Sequence, residues 1–194
     1  MHRFKSLSSE VVLGTLVAVF SVFAAVSGYQ SSMADSEQTK YNVEAQQVLT
    51  DANAEYLSAN QLIVYDYDMF DGWYTAADDE KAEYYQGNFS EELQASIATN
   101  PENPFTDAYY AAMQAEPEKM FAEADQLFTV AEDFNERGDA LQLVLLVSAL
   151  GLALAAWAAL LAKESPVRLA FAILYIIIMI ASIVLYLGVP KVVV

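Results

Sequence analysis

The chain of 194 residues contains no cysteine and a single histidine, His2. Without thiols there are no disulfide bonds, thiolate metal sites or cysteine nucleophiles. His2 stands at a chain end, where we expect disorder rather than a catalytic base or a metal ligand. Because no nucleophile–base arrangement or glycine-rich phosphate loop is visible either, we expect a non-enzymatic protein without a cofactor.

Positive charge is also scarce. The chain has 9 Lys and Arg against 26 Asp and Glu, a net charge of −17. The segment 29–139 alone holds 24 acidic and 4 basic residues, a net charge of −20. This sign repels phosphate backbones, and no basic patch compensates for it, so we expect no nucleic-acid partner.

What the sequence does have is three long apolar segments, which predict transmembrane helices at 11–28, 140–162 and 167–189. At about 1.5 Å per residue, a 23-residue helix spans the ~30 Å hydrocarbon core. The last two segments contain no ionisable residue except Arg168 at the start of the third. The lipid bilayer is therefore the first expected partner.

The first apolar segment has two interpretations. Arg3 and Lys5 precede a short apolar run that ends in small residues, a pattern that is also typical of a cleaved signal peptide. We favour an uncleaved anchor, because small residues recur along one helical face, as in helices that pack within lipid. Those residues are Gly14, Ala18, Ser21 and Ala25.

The basic residues predict the orientation. Arg3 and Lys5 precede the first span, and Lys163 and Arg168 flank the short turn between the second and third. By the positive-inside rule these regions are cytoplasmic. We predict a cell-membrane protein, in an inner or plasma membrane, with a cytoplasmic N-terminus (1–10) and turn (163–166), an extracytoplasmic acidic domain (29–139) and an extracytoplasmic tail (190–194).

A heptad pattern runs from the acidic domain into the second span. Apolar or small residues alternate at spacings of four and three, which predicts one continuous helix with one packing stripe. Outside the span the stripe is Met120, Ala124, Leu127, Ala131, Phe134 and Gly138, and inside it continues through Leu141, Leu145, Ser148, Leu152, Ala155, Ala159 and Ala162. Gly151, Ala155 and Ala159 add a small-residue face for close packing against another helix.

A similar pattern from Ala45 to Ile63 predicts a second long helix. Pro117 and Glu118 suit the first turn of the helix that carries the other stripe. Because both helices connect to the same membrane face, we expect an antiparallel coiled-coil hairpin. The aromatic-rich segment 72–116 would form a small helical cap, with a helix starting after Ser90. The predicted fold is therefore an all-α membrane protein with three transmembrane helices, an extracytoplasmic hairpin and this cap.

Two clusters in this region are candidate sites. One is a set of oxygen ligands for a cation such as Ca²⁺, formed by Asp66, Asp68, Asp71, Asp78, Asp79 and Glu80. An EF-hand loop beginning at Asp66 fails, because Phe70 and Ala77 occupy ligand positions. We therefore favour a solvated acidic surface over a metal site. The second cluster is aromatic, and we favour a packed core or a subunit contact over a ligand site; it comprises Tyr65, Tyr67, Phe70, Trp73 and Tyr74.

The stretch 45–73, AQQVLTDANAEYLSANQLIVYDYDMFDGW, follows one span and precedes a closing pair of spans. In this layout the chain resembles bacterial three-span membrane proteins of unknown function, a resemblance that implies a topology but no chemistry. We expect a structural or assembly role, through self-association or with other membrane subunits. The first alternative is an extracytoplasmic sensing or ligand-binding module. The second is an oligomeric pore, but the spans have no polar stripe that would line one.

Overall fold

The fold is all-α. The computed structural model describes residues 10–162 and 164–193. Five helices hold 86% of these residues, and none of these residues lies in a strand. The all-α class predicted from the sequence is therefore confirmed. The helices are α1 (Glu10–Tyr74), α2 (Asp79–Gln86), α3 (Glu91–Thr99), α4 (Asp107–Leu160) and α5 (Pro166–Leu187).

Three of these helices, α1, α4 and α5, are long and apolar enough to cross a membrane. This confirms the three apolar helices predicted from the sequence. The expected cytoplasmic N-terminus, with His2, Arg3 and Lys5, lies outside the described residues except for Glu10. Lys163 of the predicted turn and Val194 of the predicted tail also lie outside them.

The chain forms two compact units, which we name by their composition. The apolar unit comprises the described residues up to Asn42 and from Thr129 onward, and the acidic unit comprises Val43–Phe128. The first therefore contains α5 and one end each of α1 and α4, whereas the second contains the other ends of α1 and α4 together with α2 and α3.

Helices in the apolar unit approach one another through small side chains. Gly138 is buried, and the Ser31 hydroxyl donates a hydrogen bond to its carbonyl at 3.1 Å. Ser148 and Ser182, both fully buried, share a hydrogen bond of 3.2 Å between α4 and α5. Each of these contacts satisfies a polar group while leaving the backbones close, which is how helices associate in an apolar surrounding.

The buried row of α4 in the apolar unit differs in register from the predicted stripe. Its members are Leu141, Val144, Ser148, Gly151, Ala155 and Ala158. The prediction had Leu145 instead of Val144, Leu152 instead of Gly151, and Ala159 instead of Ala158. Of the three predicted residues, Leu145 and Ala159 are exposed and Leu152 is half-buried. At these three positions the buried residue is one earlier than predicted, and one of them is Gly151, which allows close packing at the contact.

Arg168 is the one charged residue of the predicted third span, and it is 1% exposed. Its Nη1 donates to the Leu161 carbonyl at 2.9 Å, just beyond the end of α4. A cation at this position interacts favourably with the negative end of the helix dipole and with the carbonyls that the helix leaves unpaired. The arginine therefore joins the start of α5 to the end of α4.

In the acidic unit, α4 begins ten residues before the predicted start at Pro117, which lies inside the helix and is buried. A proline within a helix removes one backbone hydrogen bond and costs about 3 kcal/mol. Tyr109 and Met113 precede the proline and belong to the buried core of this unit. Their burial offsets that cost, because each fully buried apolar side chain contributes about 1.5–3 kcal/mol.

The core of the acidic unit brings α1, α3 and α4 together. Its buried members are Ile63, Phe89, Leu93, Tyr109 and Met113. The predicted helix start after Ser90 is confirmed: the Ser90 hydroxyl accepts a hydrogen bond from the Leu93 N–H at 3.0 Å, as an N-cap does. The cap fixes the beginning of α3, so Leu93 points into the core.

Substitutions at Gly138 test the close approach in the apolar unit. An added Cβ would lie 2.6 Å from Asp35 Oδ1, a mobile carboxylate, and 3.7 Å from the Ala34 Cβ. We expect Gly138→Ala to change stability by less than about 1 kcal/mol, because Asp35 can move and alanine favours the helix. Gly138→Leu should destabilise by about 1–3 kcal/mol through overpacking.

Thermal melting and size-exclusion profiles of both variants in detergent provide the measurement. The leucine variant should melt at a lower temperature and give less monodisperse protein than either the alanine variant or the unmodified chain. Equal melting temperatures for the leucine and alanine variants would show that the helices do not meet closely at Gly138.

Candidate functional site

Asp66 occupies a position in α1 that the sequence pattern reserves for a small or apolar residue. Ala45, Ala52 and Ala59 are buried at intervals of seven, and Asp66 is the next member of this row. Its side chain is 0% exposed. The predicted solvated surface is therefore wrong for this carboxylate, whose place in the row of Ala45, Ala52 and Ala59 was the signal of its burial.

The buried carboxylate accepts three hydrogen bonds within the acidic unit. Oδ1 accepts from the Ser90 backbone N–H at 2.9 Å. Oδ2 accepts from the Tyr109 hydroxyl at 2.7 Å and also from the Ser90 hydroxyl. Hydrogen bonds to a carboxylate are stronger than those between neutral groups. Because Ser90 caps α3 and Tyr109 belongs to α4, Asp66 connects three helices.

The aromatic residues divide between the core and the surface. Phe70 and Trp73 pack against the buried core, and Tyr67 stacks on Phe105 with ring centroids 4.1 Å apart. Tyr65, Tyr67 and Tyr74 are exposed. The predicted packing role therefore describes the position of Phe70 and Trp73, whereas three of the five aromatic side chains are exposed to solvent.

Two tyrosine hydroxyls at the start of α4 have raised pKa values. Burial raises the pKa of Tyr109 well above its usual range, and the hydrogen bond to Asp66 raises it further. The hydroxyl–hydroxyl bond between Tyr67 and Tyr110 raises the pKa of Tyr110 to about 12, with a smaller contribution from burial. Both groups stay protonated at neutral pH, so neither has the pKa near 7 that suits a general base.

The structure does not bring the other candidate carboxylates together with Asp66. Asp68, Asp71, Asp79 and Glu80 are exposed, and Asp78 serves as the N-cap of α2, accepting from the Lys81 N–H at 2.9 Å. Within residues 10–162 and 164–193, no three Asp, Glu, His or Cys side chains are arranged to hold a metal ion. The six candidate carboxylates therefore do not form one common site.

A cavity of about 870 Å³ opens between α3 and the start of α4. Glu91, Glu92, Ser96, Thr106 and Tyr109 are among the residues that line it. Its volume is in the range of small-molecule sites, and its two carboxylates and hydroxyls suit a cationic ligand that forms hydrogen bonds. The sequence analysis missed this cavity, because its walls come from two helices that the 100–106 loop brings together.

The predicted packing residues of α4 differ in burial. Ala124, Ala131, Gly138, Gly151 and Ala155 are buried; Met120, Leu127 and Phe134 are half-buried; and Ala159 is exposed. In the acidic unit Phe121, a neighbour of this stripe, meets Tyr56 edge-on at 6.4 Å. In the apolar unit Phe134 stacks on Tyr41 at 5.6 Å. Apart from Ala159, the glycine and alanine members of the stripe are thus more buried than its larger side chains.

No protein-family model, curated protein or solved structure matches this chain. The resemblance in layout to bacterial three-span membrane proteins therefore stays a prediction. The function has to be inferred from the geometry of the two units.

Removing one acceptor from the Asp66 group should destabilise the acidic unit. In Asp66→Asn an amide NH₂ replaces one oxygen, so at least one of the three buried donors loses its partner. We expect a loss of about 2 kcal/mol. Asp68→Asn is the matched control, since it makes the same change two residues away at an exposed position, and it should change stability by less than about 0.5 kcal/mol.

The readout is the thermal melting of Trp73 fluorescence in a Trp157→Phe background, so that the signal comes from the acidic unit. If Asp66→Asn and Asp68→Asn melt at the same temperature, the three hydrogen bonds do not stabilise the folded chain.

The raised pKa of Tyr109 predicts alkaline destabilisation. Above about pH 10 the unfolded chain releases the tyrosine proton while the folded chain retains it, so the free energy of unfolding falls as pH rises. Tyr109→Phe removes this group, and its melting temperature should fall less steeply between about pH 9 and 12. Tyr84→Phe, which alters an exposed tyrosine, should keep the original slope. Equal slopes for all three proteins would contradict the prediction.

Proposed function

We propose that this chain is a non-enzymatic integral membrane protein with a structural or assembly role, acting as a homo-oligomer or as an accessory subunit of a larger membrane complex. The three long apolar helices support the membrane location. We place the N-terminus and the 163–166 turn in the cytoplasm and residues 29–139 outside the cell membrane, as the distribution of basic residues favours. The hairpin and cap arrangement of the acidic domain belongs to the same proposal.

The observation that carries the assembly role is an apolar face on α1 within the acidic unit. Leu57 is 60% exposed and Val64 is 61% exposed, and Val43 on the same face is also exposed. Their spacings are fourteen and seven residues, with the exposed Thr50 at the intervening position, whereas Ala45, Ala52 and Ala59 recur at seven in the buried row. At 100° per residue the two rows lie about 160° apart around the helix.

A helix with apolar residues on two opposite faces has one more packing surface than its own unit uses. Polar residues normally occupy the face of a helix that points to water, and clustered exposed apolar residues mark interaction sites. The face defined by Val43, Leu57 and Val64 is therefore our candidate contact with another subunit. It lies outside the predicted spans, so lipid does not account for it.

Charge bears on which partner this face accepts. The segment 29–139 has a net charge of −20, so two copies repel each other at low ionic strength, and salt should favour self-association. A partner with a basic surface would instead associate faster at low salt. The salt dependence of assembly thus distinguishes a homo-oligomer from a complex with a cationic subunit.

The second candidate function is an extracytoplasmic sensing or ligand-binding module. It is favoured by the cavity of about 870 Å³ beside Tyr109, with Glu91 and Glu92 among its lining residues. A small organic cation or Ca²⁺ bound there would raise the melting temperature, and the increase would grow with the logarithm of its concentration above the Kd. Melting with millimolar Ca²⁺ and with a panel of organic amines separates this function from a purely structural one.

The assembly role predicts a specific effect of polar residues on α1. Leu57→Gln with Val64→Gln should weaken association roughly tenfold or more, because the contact loses two buried apolar side chains. The control is Tyr84→Gln, which adds the same amide at an exposed position on α2. Light scattering after size exclusion in mild detergent, at low and high salt, measures the mass of the particle.

We expect the unmodified chain and the Tyr84→Gln control to share one mass above that of a monomer, and the double variant to shift toward the monomer. A strictly monomeric particle that retains no partner after gentle purification would rule out the assembly role.

A further inference from the structure

Two cations in the apolar unit share one cavity. Arg137 and Lys191 are among the residues that line a space of about 680 Å³ between α4, α1 and the segment that follows α5. Six Lys and Arg residues lie in the described part of the chain. Lys40, Lys81 and Lys119 each pair with a carboxylate three residues away, and Arg168 is buried at the end of α4. This leaves Arg137 and Lys191.

Neither of these two cations forms an ion pair with a carboxylate of the described residues, in a chain that has 26 acidic residues. Arg137 donates from Nη1 to the Pro190 carbonyl at 2.6 Å. This bond holds the chain after α5 next to α4, so Lys191 lies at the same cavity. A guanidinium has five N–H donors, and the bond to Pro190 uses one of them.

The other walls of the cavity combine apolar and interfacial side chains. Leu141 and Leu187 line it, and Leu187 is 78% exposed. The Tyr186 hydroxyl donates to Gln30 Oε1 at 3.1 Å, and both side chains also line the space. Tyrosine and basic residues at the end of an apolar helix are typical of the membrane–water interface, where lipid headgroups lie.

An adjoining cavity has a carboxylate among its lining residues. Glu37 lines a smaller adjoining cavity that also includes Gln30 and Arg137. Glu37 is 3.4 Å from the Lys40 Nζ, so its charge is already partly compensated. It does not line the larger cavity, in which Arg137 and Lys191 are the only charged residues among those described.

We propose that this cavity binds the headgroup of an anionic phospholipid. The guanidinium of Arg137 presents N–H donors in a planar fork that matches the oxygens of a phosphate diester, and Lys191 supplies a second positive charge. The exposed apolar surface that begins at Leu187 suits the acyl chains. Because this surface adjoins the cations, a membrane lipid fits the cavity better than free phosphate. The inference is independent of the assembly role.

The test uses the full chain purified in detergent and assembled into nanodiscs or mixed micelles. Melting temperature and lipid retention in native mass spectrometry are measured with phosphatidylglycerol, with phosphatidylcholine and with inorganic phosphate. We expect phosphatidylglycerol to bind at least tenfold more tightly than phosphatidylcholine and to raise the melting temperature. Inorganic phosphate at millimolar concentration should have little effect, because it lacks the apolar part.

Three variants locate the site. Lys191→Gln leaves the Arg137–Pro190 bond in place and should lower phosphatidylglycerol affinity at least fivefold. Arg137→Lys keeps the charge but not the planar fork, and should also weaken binding. Lys119→Gln, which removes the same charge from the acidic unit, is the control and should bind as the unmodified chain does.

Three outcomes would overturn the proposal. They are equal affinities for phosphatidylglycerol and phosphatidylcholine, equal effects of Lys191→Gln and Lys119→Gln, or stabilisation by inorganic phosphate as strong as that by the lipid.

Discussion

Small side chains at the helix contacts set how closely the long helices approach, and the other packing in each unit depends on that distance. In the acidic unit, Ala45, Ala52 and Ala59 form the buried row of α1. In the apolar unit, the buried Gly138 receives a hydrogen bond on its own backbone from Ser31. Close backbones gain dispersion contacts along their whole length. Without cysteine, the chain has no covalent crosslink to replace these contacts.

Asp66 shows what such close packing demands of a polar group. A buried carboxylate is costly unless donors surround it, and here three donors do so. Two of them come from Ser90, which also begins α3, and one comes from Tyr109, which belongs to the core. The same hydrogen bonds that satisfy Asp66 therefore fix the position of two further helices, and the cavity beside Tyr109 follows from that arrangement.

The three surfaces for which we propose roles differ in their chemistry. The α1 face of Val43, Leu57 and Val64 is apolar and suits another protein subunit. The cavity between α3 and α4 has carboxylates at Glu91 and Glu92 and suits a cation. The cavity at Arg137 and Lys191 is cationic with apolar walls and suits an anionic lipid. A protein that organises partners at a membrane would use surfaces of this kind, and none of them requires a catalytic group.

By itself, the sequence determined the all-α class, the three apolar helices and the Ser90 helix start, because hydrophobic periodicity, span length and capping are local properties of the chain. The tertiary structure decided the rest. Pro117 lies inside α4 because the core around Tyr109 and Met113 offsets a local penalty. The buried row of α4 uses Gly151 and Ala158 instead of Leu152 and Ala159, a choice of register that depends on the neighbouring helices. Asp66 lies on the buried row of α1 and Asp68 does not, but the donors that satisfy the buried carboxylate come from Ser90 and Tyr109, which only the tertiary structure brings within reach.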